Sequence, residues 1–158
     1  MTLQGLLRFV HVLGVVLWMG AAVTLPFVTG RAARADELDV TAFAYRVNAR
    51  LMTTLGLGGM LLTLGGGIWL TPEMGYEFFR PFPNHWLFQM QVLGIASALV
   101  GALYQVPLSR RLAREADRSV EAGGETEDFA RYRKRYAIVG SVVGLVLFVV
   151  LVMATVKP

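Results

Sequence analysis

The sequence predicts an all-α integral membrane protein: a four-helix bundle with N and C termini outside and a cytoplasmic helical hairpin between helices 3 and 4. Three observations predict it. First, four long stretches, 9–30, 51–72, 81–109 and 136–156, contain no formally charged residue. Each reaches the ~20 residues that an apolar helix needs to cross a bilayer. Second, 55% of the chain is hydrophobic and only 16% is charged, where a soluble domain carries about a quarter. Third, the basic residues gather in two of the three connections between these stretches. The expected spans are about 4–29, 46–71, 84–108 and 134–156, within a single transmembrane domain over 1–158.

The first span includes RFVHVLGVVLWMGAAVTLP, residues 8–26. It is longer than the h-region of a signal peptide and has no A-x-A site before Pro26, so it is expected to be retained. Pro26 predicts a kink or a helix stop. A short polar connector with Asp36, Glu37 and Asp39 follows. The second helix is expected from Thr41 or Ala42 to about Leu70. It is rich in glycine (Gly56, Gly58, Gly59, Gly65, Gly66 and Gly67), which lets a neighbouring backbone or a flat ligand come close.

The next connection carries Tyr76, Phe78, Phe79, Phe82 and Trp86, an expected outer interfacial belt. Asn84 is the expected N-cap of the third helix, with His85 in its first turn. Beyond Pro107, helical spacing continues to Gly123-Gly124, a helix-end signal. Thr126, with Glu127 and Asp128 after it, opens the last helix. Tyr132 and Tyr136 are expected as inner-belt aromatics. No repeat of solenoid or propeller length is present.

Twelve basic residues lie in the first and third connections, four in 30–50 and eight in 110–135; Arg8, Arg80 and Lys157 lie on the other side. The positive-inside rule places the basic connections in the cytoplasm of a bacterial inner membrane. The net charge of +4 fits anionic lipid headgroups, and the basic run has no base-reading spacing, so no nucleic acid is expected. The chain has no cysteine, which removes thiolate metal sites and thiol redox chemistry. The spans hold no Asp or Glu, which argues against a carboxylate-driven pump or a di-metal carboxylate site. No HExxH, P-loop, GxGxxG context or Ser/His/Asp arrangement occurs.

The chemistry-bearing candidate is His11, an ionisable group eight residues into an apolar helix. A helical projection at about 100° per residue aligns Arg8, His11, Gly14, Val15, Trp18 and Ala22 on one face. The face offers an imidazole, a missing side chain one turn below it, and an aromatic one turn further. His11 has three readings: an axial ligand of haem b, a hydrogen bond to a neighbouring helix, or a proton or metal-ion path. Arg8 suits a haem propionate or snorkels to the interface, and Trp18 packs on a macrocycle or in the core. Met90 matches His11 in depth as a second ligand; His85 lies nearer the surface, and Met60 is a further thioether.

His11, six residues, then Trp18-Met19-Gly20 and Leu25-Pro26 resembles the first helix of small bacterial four-helix membrane proteins. Overall the chain resembles an uncharacterised bacterial family of four-span proteins. That family shares the first-helix histidine, a tryptophan opening the third helix (Trp86), the exit over 107–112, and a terminal Lys157-Pro158. The likeness to HemJ-type protoporphyrinogen oxidases and to CopD-like membrane domains is more distant. The HemJ resemblance implies a haem-ligand role for His11 alone, because the lysine of its third helix and its Asn-Glu-x-Pro segment have no counterpart here. The expected function is a small haem-b-binding protein, an electron-transfer or accessory subunit of a respiratory redox complex. Its expected partners are the bilayer and other redox subunits or a second copy, with a quinone kept open. The alternatives are a cofactor-free assembly subunit and a CopD-like metal or solute transporter.

Overall fold

The computed structural model describes residues 2–35 and 37–156. They form four helices: α1 (Leu3–Ala32), α2 (Leu38–Glu73), α3 (His85–Glu121) and α4 (Glu127–Val156). All four are long and apolar enough to cross a membrane, and no strand occurs among the described residues. At ~1.5 Å per residue even the shortest helix exceeds the ~30 Å of a hydrocarbon core. The ends therefore project past the apolar layer.

Local chemistry accounts for the helix ends. Thr2 accepts a hydrogen bond from the Gly5 amide at 3.2 Å and caps α1. Asp39 lies in the first turn of α2, where its charge favours the positive end of the helix dipole. Gly123 adopts a positive φ of 68° just past α3, and the Gly124 amide returns to the Ser119 carbonyl at 3.1 Å; glycine is the residue that closes a helix this way without strain. Thr126 accepts from the Phe129 amide at 3.3 Å and starts α4. The helical hairpin between the third and fourth spans is thus present as the sequence predicts.

Several expectations need correction. Pro26 does not stop α1, which runs on to Ala32; within a membrane helix, neighbouring side chains absorb the freed backbone group. One turn on, the Thr29 hydroxyl donates to the Leu25 carbonyl at 3.0 Å. α2 starts at Leu38 rather than at Thr41, so the connector shrinks to a turn; Asp36 lies outside the described residues, as do Lys157 and Pro158. Asn84 precedes α3, but its side chain makes no capping bond.

Both central helices contain a wide π turn, Met52–Gly56 in α2 and Gly101–Gln105 in α3. α1 packs mainly along residues 57–73 of α2. Residues 38–51 of α2 pack on 106–121 of α3, and residues 85–100 of α3 pack on α4. The α1/α4 joint that closes the ring is less extensive. Two apolar cores result. One surrounds Trp18, Met52, Met60 and Leu147 at mid-bundle. The other surrounds Tyr45, Leu112 and Phe129 at the end that carries the basic connections.

Candidate functional site

The face of α1 singled out by its histidine is buried against α2. A methyl group at Gly14 would come within 2.4 Å of the Thr63 amide nitrogen and 2.8 Å of the Gly59 carbonyl oxygen. One at Gly59 would come within 2.6 Å of the Trp18 nitrogen, and one at Gly66 within 2.9 Å of the His11 nitrogen. The glycines let two backbones touch. The slot expected beside Gly14 for a flat cofactor is therefore filled by α2, and no porphyrin fits there.

His11 lies half-buried over Gly67, its Nδ1 2.8 Å from the Thr63 carbonyl oxygen. A carbonyl only accepts, so in the neutral ring Nδ1 carries the proton and Nε2 keeps the lone pair. Arg8 is exposed one turn away. Trp18 is 2% exposed in the mid-bundle core, with its indole nitrogen unpartnered. Met60 is buried against Gly101 of α3 as a packing residue. Met90 and the exposed His85 belong to the part of α3 that packs on α4, whereas α1 packs on α2. Nothing therefore gathers the expected axial ligands around His11. Among the described residues no group of three His, Cys, Asp or Glu side chains converges to hold a metal ion.

A cavity lies elsewhere, between α1 and α4 in the half of the bundle toward the basic connections. It measures about 380 Å³. Small residues form both walls: Ala21, Ala22 and Gly30 on α1, and Gly140, Ser141 and Gly144 on α4. Its back carries buried side chains from all four helices, including Thr29, Tyr45, Met52, Gln105 and Tyr136. The rim residues Pro26, Gly30, Ala137 and Ser141 are exposed on the outside of the bundle.

Polar groups at the back, and Asn48 bonded to one of them, are incompletely paired. Tyr136 donates its hydroxyl to Asn48 Oδ1 at 3.2 Å, and the Gln105 side chain also interacts with that hydroxyl. Gln105 is 4% exposed, yet its amide oxygen has no partner, and neither has Asn48 Nδ2. A buried polar atom without a partner costs about 1–3 kcal/mol. Both π turns feed this spot: Met52 is the first residue of one and Gln105 the last of the other. π turns are frequent at functional sites because they re-aim side chains.

Sequence reasoning missed this site. Tyr136, expected in an interfacial belt, is buried at the back of the cavity. The available signals were Gln105, a primary amide inside an uncharged span, and the pairing of Gly140 with Gly144 at small-xxx-small spacing. The glycines of α2 drew attention to the tighter seam instead.

Comparison with curated proteins and with solved structures gave no match. A family model described as "predicted integral membrane protein (DUF2269)" matches residues 5–158, and the chain belongs to that family.

Proposed function

We propose that this protein is a membrane-embedded binding subunit whose ligand, a lipid-soluble small molecule, enters the α1/α4 cavity sideways from the bilayer. The observation that carries this reading is the cavity of about 380 Å³ itself, open at an exposed rim and backed by the buried polar side chains Thr29, Gln105 and Tyr136. The excess of arginine at that end supports a position for the cavity in the cytoplasmic leaflet of a bacterial inner membrane. The least covered helix, α4, is where partner subunits or a second copy would dock. Solvent extraction of the purified protein followed by mass spectrometry tests the reading. A small molecule should co-purify with the wild type and be absent from Gly144→Leu, whose side chain fills the cavity. Identical extracts would remove the proposal.

A second reading keeps haem b on His11, and with it the electron-transfer or respiratory accessory role. It is favoured by the Thr63 carbonyl, which fixes the ring so that Nε2 is free to coordinate, as backbone carbonyls do for metal-bound histidines. The haem would have to lie outside the Gly14 seam, and its iron would supply the redox chemistry. Protein produced with haem supplied should then show a Soret band that shifts on reduction and is lost in His11→Ala. Colourless folded protein would leave the cavity reading alone.

A further inference from the structure

We infer that the α2–α3 seam at the basic end holds the phosphodiester headgroup of an anionic membrane lipid, gripped by Arg50, Arg110 and Arg114 and separate from the α1/α4 cavity. Two contacts fix how the helices run past each other there. Arg46 of α2 pairs with Asp117 of α3, and Arg110 of α3 donates from Nε to the Thr53 hydroxyl of α2 at 3.2 Å. Seven residues, about two turns, separate these ties on each helix. Arg50 and Arg114 stand between them, each at i±3 and i±4 spacing from the tied residues of its own helix, so both lie on the same edge of the seam. All three arginines are exposed.

This edge is short of negative charge. Asp117 is engaged by Arg46, and among the described residues no carboxylate pairs with Arg50, Arg110 or Arg114. Arg110 and Arg114, four apart on one helix, repel each other. An anion between them relieves that repulsion, and a guanidinium fork matches two oxygens of a phosphate. Arg110 is already set for this task. Its Nε–H is spent on Thr53, whose own hydroxyl donates to the Ala49 carbonyl at 2.8 Å. The guanidinium is anchored along one side, and its two terminal nitrogens remain to hold the ligand.

Depth selects a lipid over a soluble anion. Arg50 is the last charge before the uncharged run 51–72, and Arg110 is the first after the run that ends at 109. Charges at the end of a spanning run lie at the level of the headgroups, where lipid phosphates are. On the membrane side the seam opens. Met60 still lies against Gly101, but residues 57–73 of α2 otherwise pack mainly on α1, and residues 85–100 of α3 pack on α4. Leu61, next to Met60, and Leu103, near Gly101, are 63% and 75% exposed. They offer acyl chains an apolar surface that a soluble phosphate would leave unused.

The test uses the full-length protein in detergent, titrated with phosphatidylglycerol or phosphatidylcholine and read by native mass spectrometry. The wild type should bind phosphatidylglycerol saturably and at least about tenfold more tightly than phosphatidylcholine, since each arginine near an anionic lipid is worth about fivefold. The triple variant Arg50→Gln, Arg110→Gln, Arg114→Gln should lose that preference. A second triple variant, Arg31→Gln, Arg34→Gln, Arg135→Gln, removes the same charge from the same end and should keep it. Circular dichroism checks that each folds. Should the first variant fail to fold, Thr53→Val keeps the side chain's shape, unties Arg110 and should weaken phosphatidylglycerol binding about threefold. No preference in the wild type, equal loss in both triple variants, or unchanged binding in folded Thr53→Val overturns the site. Inorganic phosphate, compared with chloride at equal ionic strength, should not displace the lipid. Displacement would give the site to a soluble anion and overturn the lipid assignment.

Discussion

Tyr136 of α4 donates its hydroxyl to Asn48 of α2 across 3.2 Å, joining helices whose residues stand 88 positions apart. Both side chains are buried. The bond fixes the position of α4 beside the cavity, because Tyr136 also lines it. Tyr136→Phe should leave the Asn48 amide with neither atom partnered, since Nδ2 already lacks a partner. The expected loss is about 1–3 kcal/mol of stability, the cost of an unsatisfied buried polar group. Unfolding in mixed micelles, followed by circular dichroism, measures it. The double variant Tyr136→Phe, Asn48→Leu should recover part of the loss, because it removes the stranded group.

The α1–α2 seam predicts a contrast between two glycines of one helix. At Gly14 an added methyl meets the Thr63 backbone at 2.4 Å, and backbone cannot swing aside. Gly14→Ala should therefore part α1 from α2 and cost on the order of 2–3 kcal/mol, in the range of overpacked interiors. At Gly20 nothing lies within 4 Å. Gly20→Ala should be neutral or stabilise by up to about 1 kcal/mol through helix propensity. Equal effects in the same unfolding experiment would show that the seam is not tight.

These two cases mark what the sequence makes legible. The four spans follow from runs without charge, because a bilayer imposes one requirement on every crossing segment. The hairpin between α3 and α4 follows from Gly123-Gly124 and Thr126, whose roles are local. The face of α1 is also readable as far as His11, Gly14 and Trp18 sharing one side. What covers that face is not readable, because the glycines of α2 accept a backbone or a flat ring equally well. Gln105 fails for a related reason. Its depth and direction depend on a π turn, which shifts the helical register and has no signature in hydropathy.

The projecting ends of the helices carry an ion pair between Arg46 of α2 and Asp117 of α3. Both side chains are substantially exposed, at 51% and 41%, so solvent screens the attraction. Asp117→Asn should change stability by less than about 1 kcal/mol, and the small effect should shrink further in 0.5 M salt. A loss as large as that expected for Tyr136→Phe would mean that the pair is shielded, for instance by a partner seated on this end.

Orientation gives the last prediction. The turn around Gly123 joins two helix ends dense in arginine, whereas the connection around Glu77 carries Arg80 alone, itself 2.6 Å from Glu77. Positive residues flanking a span resist translocation, and both basic connections are short enough for that rule to act. A phosphatase that is active only outside the cytoplasm should be active when fused after Arg80 and silent when fused after Gly123, with a fluorescent protein reporting the reverse. The bias should weaken when Arg131, Arg133, Lys134 and Arg135 are all changed to glutamine, because the basic excess at the start of α4 is then removed. Phosphatase activity at Gly123 in the unaltered chain would invert the topology. The α1/α4 cavity would then open to the outer leaflet, and a ligand would have to be supplied from that side.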